Sequence, residues 1–211
     1  MIETVPIESI VFLVDDDPSL RASVKELLES VGLKVIPYGS AAAFLESAIP
    51  DSPSCMVLDV RLPEMSGLKL QEELTKAEIQ VPIVFVSGHG DIAMAVRAMK
   101  AGAVDFLAKP FSTQDLLDAV YAALGRDRAR REQEDSLCTL RERFGSLSVR
   151  EKEVLSHVAS GRLNKQIAAD LGISEVMVKV HRANGMRKTR AKSVAELVRM
   201  TDLLHSSHSL A

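Results

Sequence analysis

The sequence predicts an α/β N-terminal domain, with a doubly wound five-stranded parallel sheet of strand order 2-1-3-4-5, followed by an all-α, four-helix helix-turn-helix domain. Three observations carry this. Short apolar runs alternate with helical repeats through the first 125 residues, a charged stretch lacking Gly and Pro follows at Arg126–Arg143, and only helical periodicity remains after it.

The apolar runs are Ile10–Val14, Leu33–Ile36, Cys55–Leu58, Ile83–Val86 and Val104–Ala108. Their shortness and lack of polar alternation fit strands buried on both faces of a parallel sheet. Between them Leu20, Val24, Leu27, Leu28 and Val31 follow a 3.6-residue repeat. So do Ile92, Ala95, Val96 and Met99, and then Leu116, Leu117, Val120 and Leu124. Strands alternating with helices imply a doubly wound domain, whose site lies at the carboxyl ends of strands 1 and 3. Residues 126–146 read as an extended helical linker with Leu137, Leu140 and Phe144 as a narrow apolar stripe, ended by Gly145. Three segments follow: 1–125, 126–146 and 147–211.

In the last segment, Ser148 with Glu151 and Ser193 with Glu196 have capping-box spacing. Asn164 is expected to cap a short helix through Leu171, and Gly172-Ile173-Ser174 to turn the chain into a third helix at about Glu175–Lys188. A fourth, at about Val194–Leu204, carries Val194, Leu197, Val198 and Leu204 on one face. Helix, short helix, Gly-containing turn and third helix is the helix-turn-helix plan.

Charge separates the halves. Residues 1–125 carry 9 Lys+Arg against 18 Asp+Glu, whereas residues 147–211 carry 11 against 6. An acidic front and basic back suit different partners, a polyanion for the second. Trp is absent and only two Tyr occur, which argues against stacking bases on an aromatic platform. Cys55 and Cys138 have neither disulfide-scaffold nor metal-ligand spacing. No signal peptide or apolar run of membrane-spanning length is visible, so the expectation is a cytoplasmic protein without a membrane partner.

With strands 1 and 3 adjacent, Asp15, Asp16 and Asp59 converge at their carboxyl ends. Three carboxylates in one cleft repel each other, and a divalent cation holds them ionised together. All-oxygen ligands with open positions favour Mg²⁺ (or Mn²⁺). Lys109 ends strand 5 and Ser87 ends strand 4 on the same rim. A cation and a hydroxyl beside a metal-bound carboxylate make a phosphoryl-transfer site, with Asp59 as nucleophile. Singly, each residue also reads as an ordinary turn, cap or strand end; it is the combination that points to chemistry. Phe106 reads equally well as a switch residue or as core, and His89 as a loop residue rather than a catalyst.

Val14-Asp15-Asp16-Asp17, Leu58-Asp59-Val60-Arg61-Leu62-Pro63-Glu64-Met65-Ser66-Gly67, Val86-Ser87-Gly88-His89-Gly90-Asp91 and Lys109-Pro110-Phe111 closely resemble receiver domains. The stretch Ala93–Phe106 resembles the FixJ branch in particular. Leu147–Leu155, Asn164-Lys165-Gln166-Ile167-Ala168 and Val178-Lys179-Val180-His181-Arg182 resemble the LuxR/FixJ effector domain, so the whole chain looks like a two-component response regulator of the FixJ/NarL type. The resemblance implies that Asp59 accepts phosphate from a sensor histidine kinase. It implies that Asp16, Asp59 and the Arg61 carbonyl bind Mg²⁺ directly, with Asp15 acting through water. It implies that Lys109 pairs with the phosphoryl oxygens before a cis bond to Pro110, that Ser87 and Phe106 move together, and that the face bearing Ala95, Met99 and strand 5 forms a homodimer. The expected activity is self-catalysed phosphorylation and hydrolysis, not that of a stand-alone enzyme.

At the other end, Lys179, Arg182, Arg187 and Lys188 make the third helix basic, and Lys179 and Asn184 have the chemistry to address base edges. The resemblance implies that Lys179, Val180 and Ala183 face the major groove. Lys165, His181, Arg182 and Lys188 become candidates for backbone contacts on double-stranded promoter DNA, with RNA polymerase as a further partner. Gly185 and Thr189 stand where the family places aliphatics, which leads to the expectation of a marginal recognition helix. Two rivals are a phosphate sink or phosphotransfer receiver with weak DNA binding, and an RNA-binding antiterminator.

Overall fold

The computed structural model describes residues 9–88 and 92–206; His89 lies outside them. The chain divides into two compact units between Arg131 and Glu132.

The first unit alternates β1 (Ile10–Val14), α1 (Pro18–Ser30), β2 (Lys34–Tyr38), α2 (Ala41–Leu45), β3 (Ser54–Asp59), α3 (Gly67–Lys76), β4 (Ile83–Ser87), α4 (Ile92–Lys100), β5 (Asp105–Ala108) and α5 (Thr113–Gly145). All neighbouring strands pair in parallel, in the order β2-β1-β3-β4-β5. Every expected apolar run is a strand, β1 with the expected ends and the others with ends shifted by at most two residues. The uninterrupted hydrophobicity follows from the pleat, because successive side chains enter opposite cores. Phe12, Met56, Leu58 and Phe85 pack against Phe44 of α2, Leu70 and Leu74 of α3, and Ala98 of α4. Val11, Leu13, Val57 and Val84 pack against Val24 and Leu28 of α1, and Leu116, Val120 and Leu124 of α5.

α5 differs from expectation: the last helix of the α/β domain and the linker helix form one element, unbroken across Gly125. An interior Gly costs a helix about 1 kcal/mol, and a buried ionic network just beyond it offsets that cost. Asp127 is fully buried; its Oδ2 accepts from the Ser54 amide at the start of β3 (2.9 Å) and from Arg131 Nε (2.8 Å). Arg130 donates to its Oδ1 at 2.6 Å, Arg131 also reaches Asp51 (2.5 Å), and Arg128 donates to the Ser9 hydroxyl (2.6 Å). The first unit's packing thus runs to Arg131.

The second unit contains α6 (Val149–Ala159), α7 (Asn164–Leu171), α8 (Glu175–Thr189) and α9 (Val194–Ser206). Val154, Leu155, Val158, Ile167, Val178 and Leu197 form its core. Both reciprocal bonds of the Ser148/Glu151 capping box form. Ser193 accepts from the Glu196 amide (3.1 Å), but the Glu196 carboxylate takes the Lys192 amide instead (2.8 Å). Asn164 is not the cap of α7. Leu163 holds the N-cap position, with its amide bonded to the Gln166 side chain (2.9 Å), while Asn164 accepts from Arg182 (3.3 Å).

The missing aliphatic at position 185 leaves no hole. A Cβ on Gly185 would lie 2.8 Å from Leu155 Cδ1 and 2.9 Å from its Cγ. The glycine lets Leu155 of α6 seat against the α8 backbone, and Met186 packs on the same core. Thr189 is fully buried with its hydroxyl donating to the Gly185 carbonyl (2.9 Å), so its polarity is satisfied within the helix. The reason given for a marginal helix therefore falls away: Leu155 fills the volume that an aliphatic at 185 would occupy.

Candidate acidic site and nucleic-acid interface

The carboxyl ends of β1, β3, β4 and β5 share one rim. In register, Val14 faces Leu58, Asp59 faces Val86, and Ser87 faces Ala108. Asp15 therefore emerges one residue past β1 beside the last residue of β3. Carboxylate oxygens of Asp15, Asp16 and Asp59 lie within 4.8 Å of one another. Asp15 and Asp59 are buried, while Asp16 is exposed.

Lys109 answers this charge. Its Nζ lies 2.6 Å from Asp15 Oδ2 and 2.6 Å from Asp59 Oδ2. The other oxygens are held by backbone: Asp15 Oδ1 accepts from the Asp17 amide and Asp59 Oδ1 from the Arg61 amide, both at 2.9 Å. Burial raises the Asp15 carboxyl above its ordinary pKa, against the pull of the Lys109 bond. Burial alone would lower Lys109, but its bonds to Asp15 and Asp59 more than reverse this and hold the ammonium above its ordinary value. The peptide bond from Lys109 to Pro110 is cis.

Three neighbours set this geometry. Ser87 is fully buried at the end of β4, and its carbonyl accepts from the Lys109 amide (2.7 Å), fixing the lysine's stem. Arg21 of α1 donates to the Asp15 carbonyl at 2.6 Å. Gly67 opens α3 directly against β3; a Cβ there would sit 2.3 Å from the Asp59 carbonyl oxygen, which only glycine avoids. Phe106 is half-buried against Phe85, ring centroids 6.3 Å apart, at the edge of the core.

In the second unit α8 presents the basic surface. It starts at Ser174, whose Oγ accepts from the Met177 amide (3.2 Å), and buries Val178, Gly185 and Thr189 on one side. Lys165, Lys179, Val180 and Ala183 are exposed; His181, Arg182 and Asn184 are half-buried. Lys188, half-buried, has partners within the second unit. Its ammonium bonds the Glu151 carboxylate (2.7 Å) and the Ser146 carbonyl (3.2 Å), closing α8 onto the capping box of α6. The bond from Lys188, with that from the Ser148 amide, holds the Glu151 carboxyl below its ordinary value.

Residues 11–121 match the family described as the response regulator receiver domain, and residues 145–201 match the bacterial regulatory proteins of the luxR family. Nodulation protein W of Bradyrhizobium diazoefficiens is 54% identical over 197 residues, covering 93% of this chain and 87% of that protein. The transcriptional regulatory protein FixJ of Azorhizobium caulinodans is 47% identical over 190 residues, 90% of each. The solved structure of the response regulator StyR is 48% identical, with a TM-score of 0.85, covering 92% of this chain and 98% of that one. The chain is a two-component response regulator with a LuxR-type DNA-binding domain.

In this response regulator the rim residues named from sequence, Asp15, Asp16, Asp59, Ser87 and Lys109, come together as a single site. Arg61 contributes its amide to Asp59, and Phe106 lies beside β4 rather than on the acidic groups. The features left unassigned from sequence were Arg21, Gly67, the Asp127 network and the Glu151–Lys188 pair. Asp127 had a readable signal in Arg130 and Arg131 at i+3 and i+4, but its bond to Ser54 joins residues 73 apart. Among the described residues no helix is long and apolar enough to cross a membrane.

Proposed function

We propose that this chain is a phosphorylation-controlled transcriptional regulator in which Asp59 takes a phosphoryl group from a sensor histidine kinase, promoting dimerisation and promoter binding. The observation that carries the reading is the Asp59 carboxylate, oriented by the Arg61 amide and neutralised by Lys109 at 2.6 Å on an acidic rim.

An Asp59 oxygen attacks phosphorus and forms a P–O bond as the P–N bond to the kinase imidazole breaks, the electron pair leaving on that nitrogen. Lys109, already on Asp59, follows the charge onto the phosphoryl oxygens. The donor set fits Mg²⁺ (or Mn²⁺): it is all oxygen, clustered and partly open to solvent. Asp16, Asp59 and the Arg61 carbonyl would hold the ion, with Asp15 through water, and it would supply positive charge for the phosphoryl oxygens. The phosphoryl group adds roughly −1.5 to −2 charges at Asp59. Ser87 then donates to the new oxygens as its loop moves inward, and Phe106 turns into the space released. The α4 face and β5 next to it are remodelled into the homodimer surface. The catalytic groups act on the chain's own phosphorylation and hydrolysis, not as a stand-alone enzyme.

Dimerisation brings two α8 helices to half-sites about one helical turn apart. There Lys179, Val180, Ala183 and Asn184 meet bases, while Lys165, His181 and Arg182 meet backbone; RNA polymerase is the downstream partner. Sedimentation with and without acetyl phosphate is the test. The wild type should shift toward dimer and Asp59→Asn should not, while both stay folded. An unshifted wild type refutes the dimer switch.

A further inference from the structure

We propose that Val176, Met177 and Val180 form an apolar reading strip that seats on the C5 methyl groups of thymines, with Val176 and Met177 setting this chain's base preference. The inference rests on the DNA-binding reading above and specifies what that surface recognises.

The strip follows from helix geometry. α8 buries Val178, Gly185 and Thr189. Residues advance 100° per position, so the face opposite that stripe carries Val176, Val180, Ala183 and Arg187, with Met177 and Asn184 beside it. Val176 is 67% exposed, Met177 43% and Val180 44%. The folding core does not account for these side chains, and β-branched Val176 and Val180 lower the helix propensity of the segment that carries them. An apolar strip on an exposed helix gains stability only when a partner covers it.

Charge identifies the partner. Exposed Lys179 flanks the strip on α8, exposed Arg187 continues its face, Lys165 of the preceding helix is exposed as well, and residues 147–211 carry 11 Lys+Arg against 6 Asp+Glu. The complementary surface is apolar at its centre and anionic at its rim. In a major groove the phosphates form the rim, and the one apolar group on the base edges is the thymine methyl. Guanine, adenine and cytosine edges beneath the strip would lose water and receive no hydrogen bond in return, which penalises them. Met177 adds a flexible thioether that adapts to small differences in methyl position. Lys179 and Asn184, on the flanks, supply donors for neighbouring bases.

The test uses the full chain treated with acetyl phosphate. Sites are first selected from a random-sequence duplex library, then remade with deoxyuridine in place of thymine, which pairs identically and lacks only the methyl. Wild type should lose affinity by about fourfold for each covered methyl, the equivalent of about 0.8 kcal/mol. The double variant Val176→Ser, Met177→Thr should discriminate between the two duplexes less than wild type, keeping the share due to Val180, and adding Val180→Ser should abolish the remainder. Its salt dependence should match the wild type, because no phosphate contact is removed. Equal wild-type binding to the thymine and uracil duplexes, on sites that were enriched, overturns the strip and leaves DNA binding standing. Failure to enrich any duplex overturns both. A change in sedimentation of the double variant without DNA assigns the strip to a protein contact and overturns the proposal.

Discussion

The acidic rim and the recognition helix are built in opposite ways. Asp15, Asp59 and Lys109 come from three different strand ends, 94 residues apart at the extremes, and two of the three are buried. Burial places them in a low local dielectric, where each group requires its partners and none can be removed without stranding another. α8 instead gathers its basic and exposed apolar residues on one helix of 15. Exposed charges interact weakly and nearly additively. The first region is therefore all-or-none and the second graded. The same division runs within each domain, where Asp127 and Glu151 are buried acids tied to cations while Lys165 is solvent-exposed.

The buried side of the comparison breaks most visibly at Asp127. Asp127→Asn should cost about 3 kcal/mol, since it removes the buried charge that the Ser54 amide, Arg130 and Arg131 share at this point. Urea unfolding together with hydrogen exchange at Ser54 measures it. Burial would raise the Asp127 carboxyl, but its bonds from Arg130, Arg131 and Ser54 hold it below the ordinary 3.8. A depressed folded pKa contributes stability that is present above the unfolded value and lost as pH falls through the folded one. Below about pH 4 the wild type should lose this advantage and converge on the variant.

Next in size, Gly185→Ala should destabilise the effector unit by up to about 2 kcal/mol, read by thermal unfolding. A new Cβ would meet Leu155 at 2.8 Å, and overpacking costs about 1–3 kcal/mol, against which alanine's helix propensity returns about 1. Gly185→Ala combined with Leu155→Val should recover part of the loss, which separates crowding from a general defect. Lys188→Ala should lower the midpoint of thermal unfolding of the effector unit, by a smaller amount than Gly185→Ala, because Glu151 keeps the Ser148 amide and loses its cation. Its effect on DNA should follow unfolding and leave the salt slope unchanged, in contrast with a phosphate contact.

The exposed side gives the smallest effect. Lys165→Ala should leave stability within about 0.5 kcal/mol and reduce the slope of log affinity against log salt by about 1. Titrations at several salt concentrations check this. A stability loss as large as that of Asp127→Asn would erase the distinction between the two regions.

Local chemistry made much of this legible in advance. Apolar runs too short for helices and lacking alternation identified five strands, and their alternation with 3.6-residue repeats pointed to a doubly wound sheet, whose expected order 2-1-3-4-5 is the one found. Ser148 and Glu151 announced a helix start because a capping box needs only four consecutive residues. Asp15, Asp16, Asp59, Ser87 and Lys109 were found because strand ends in a parallel sheet must share a rim, whatever the loops between them do.

What tertiary structure decided is the use of residues whose local sequence allows several roles. Lys188 reads as one more cation on a basic helix until Glu151, 37 residues earlier, is seen 2.7 Å away. Gly185 reads as a defect in α8 until Leu155 is found seated where its side chain would be. The segment boundary expected after residue 125 falls inside one helix, where Asp127 binds the first residue of β3. Periodicity and capping depend on neighbours within about a turn, so sequence alone determined the elements and the rim. Long-range pairing depends on which elements pack together, so only the fold could show that Lys188 closes α8 onto Glu151.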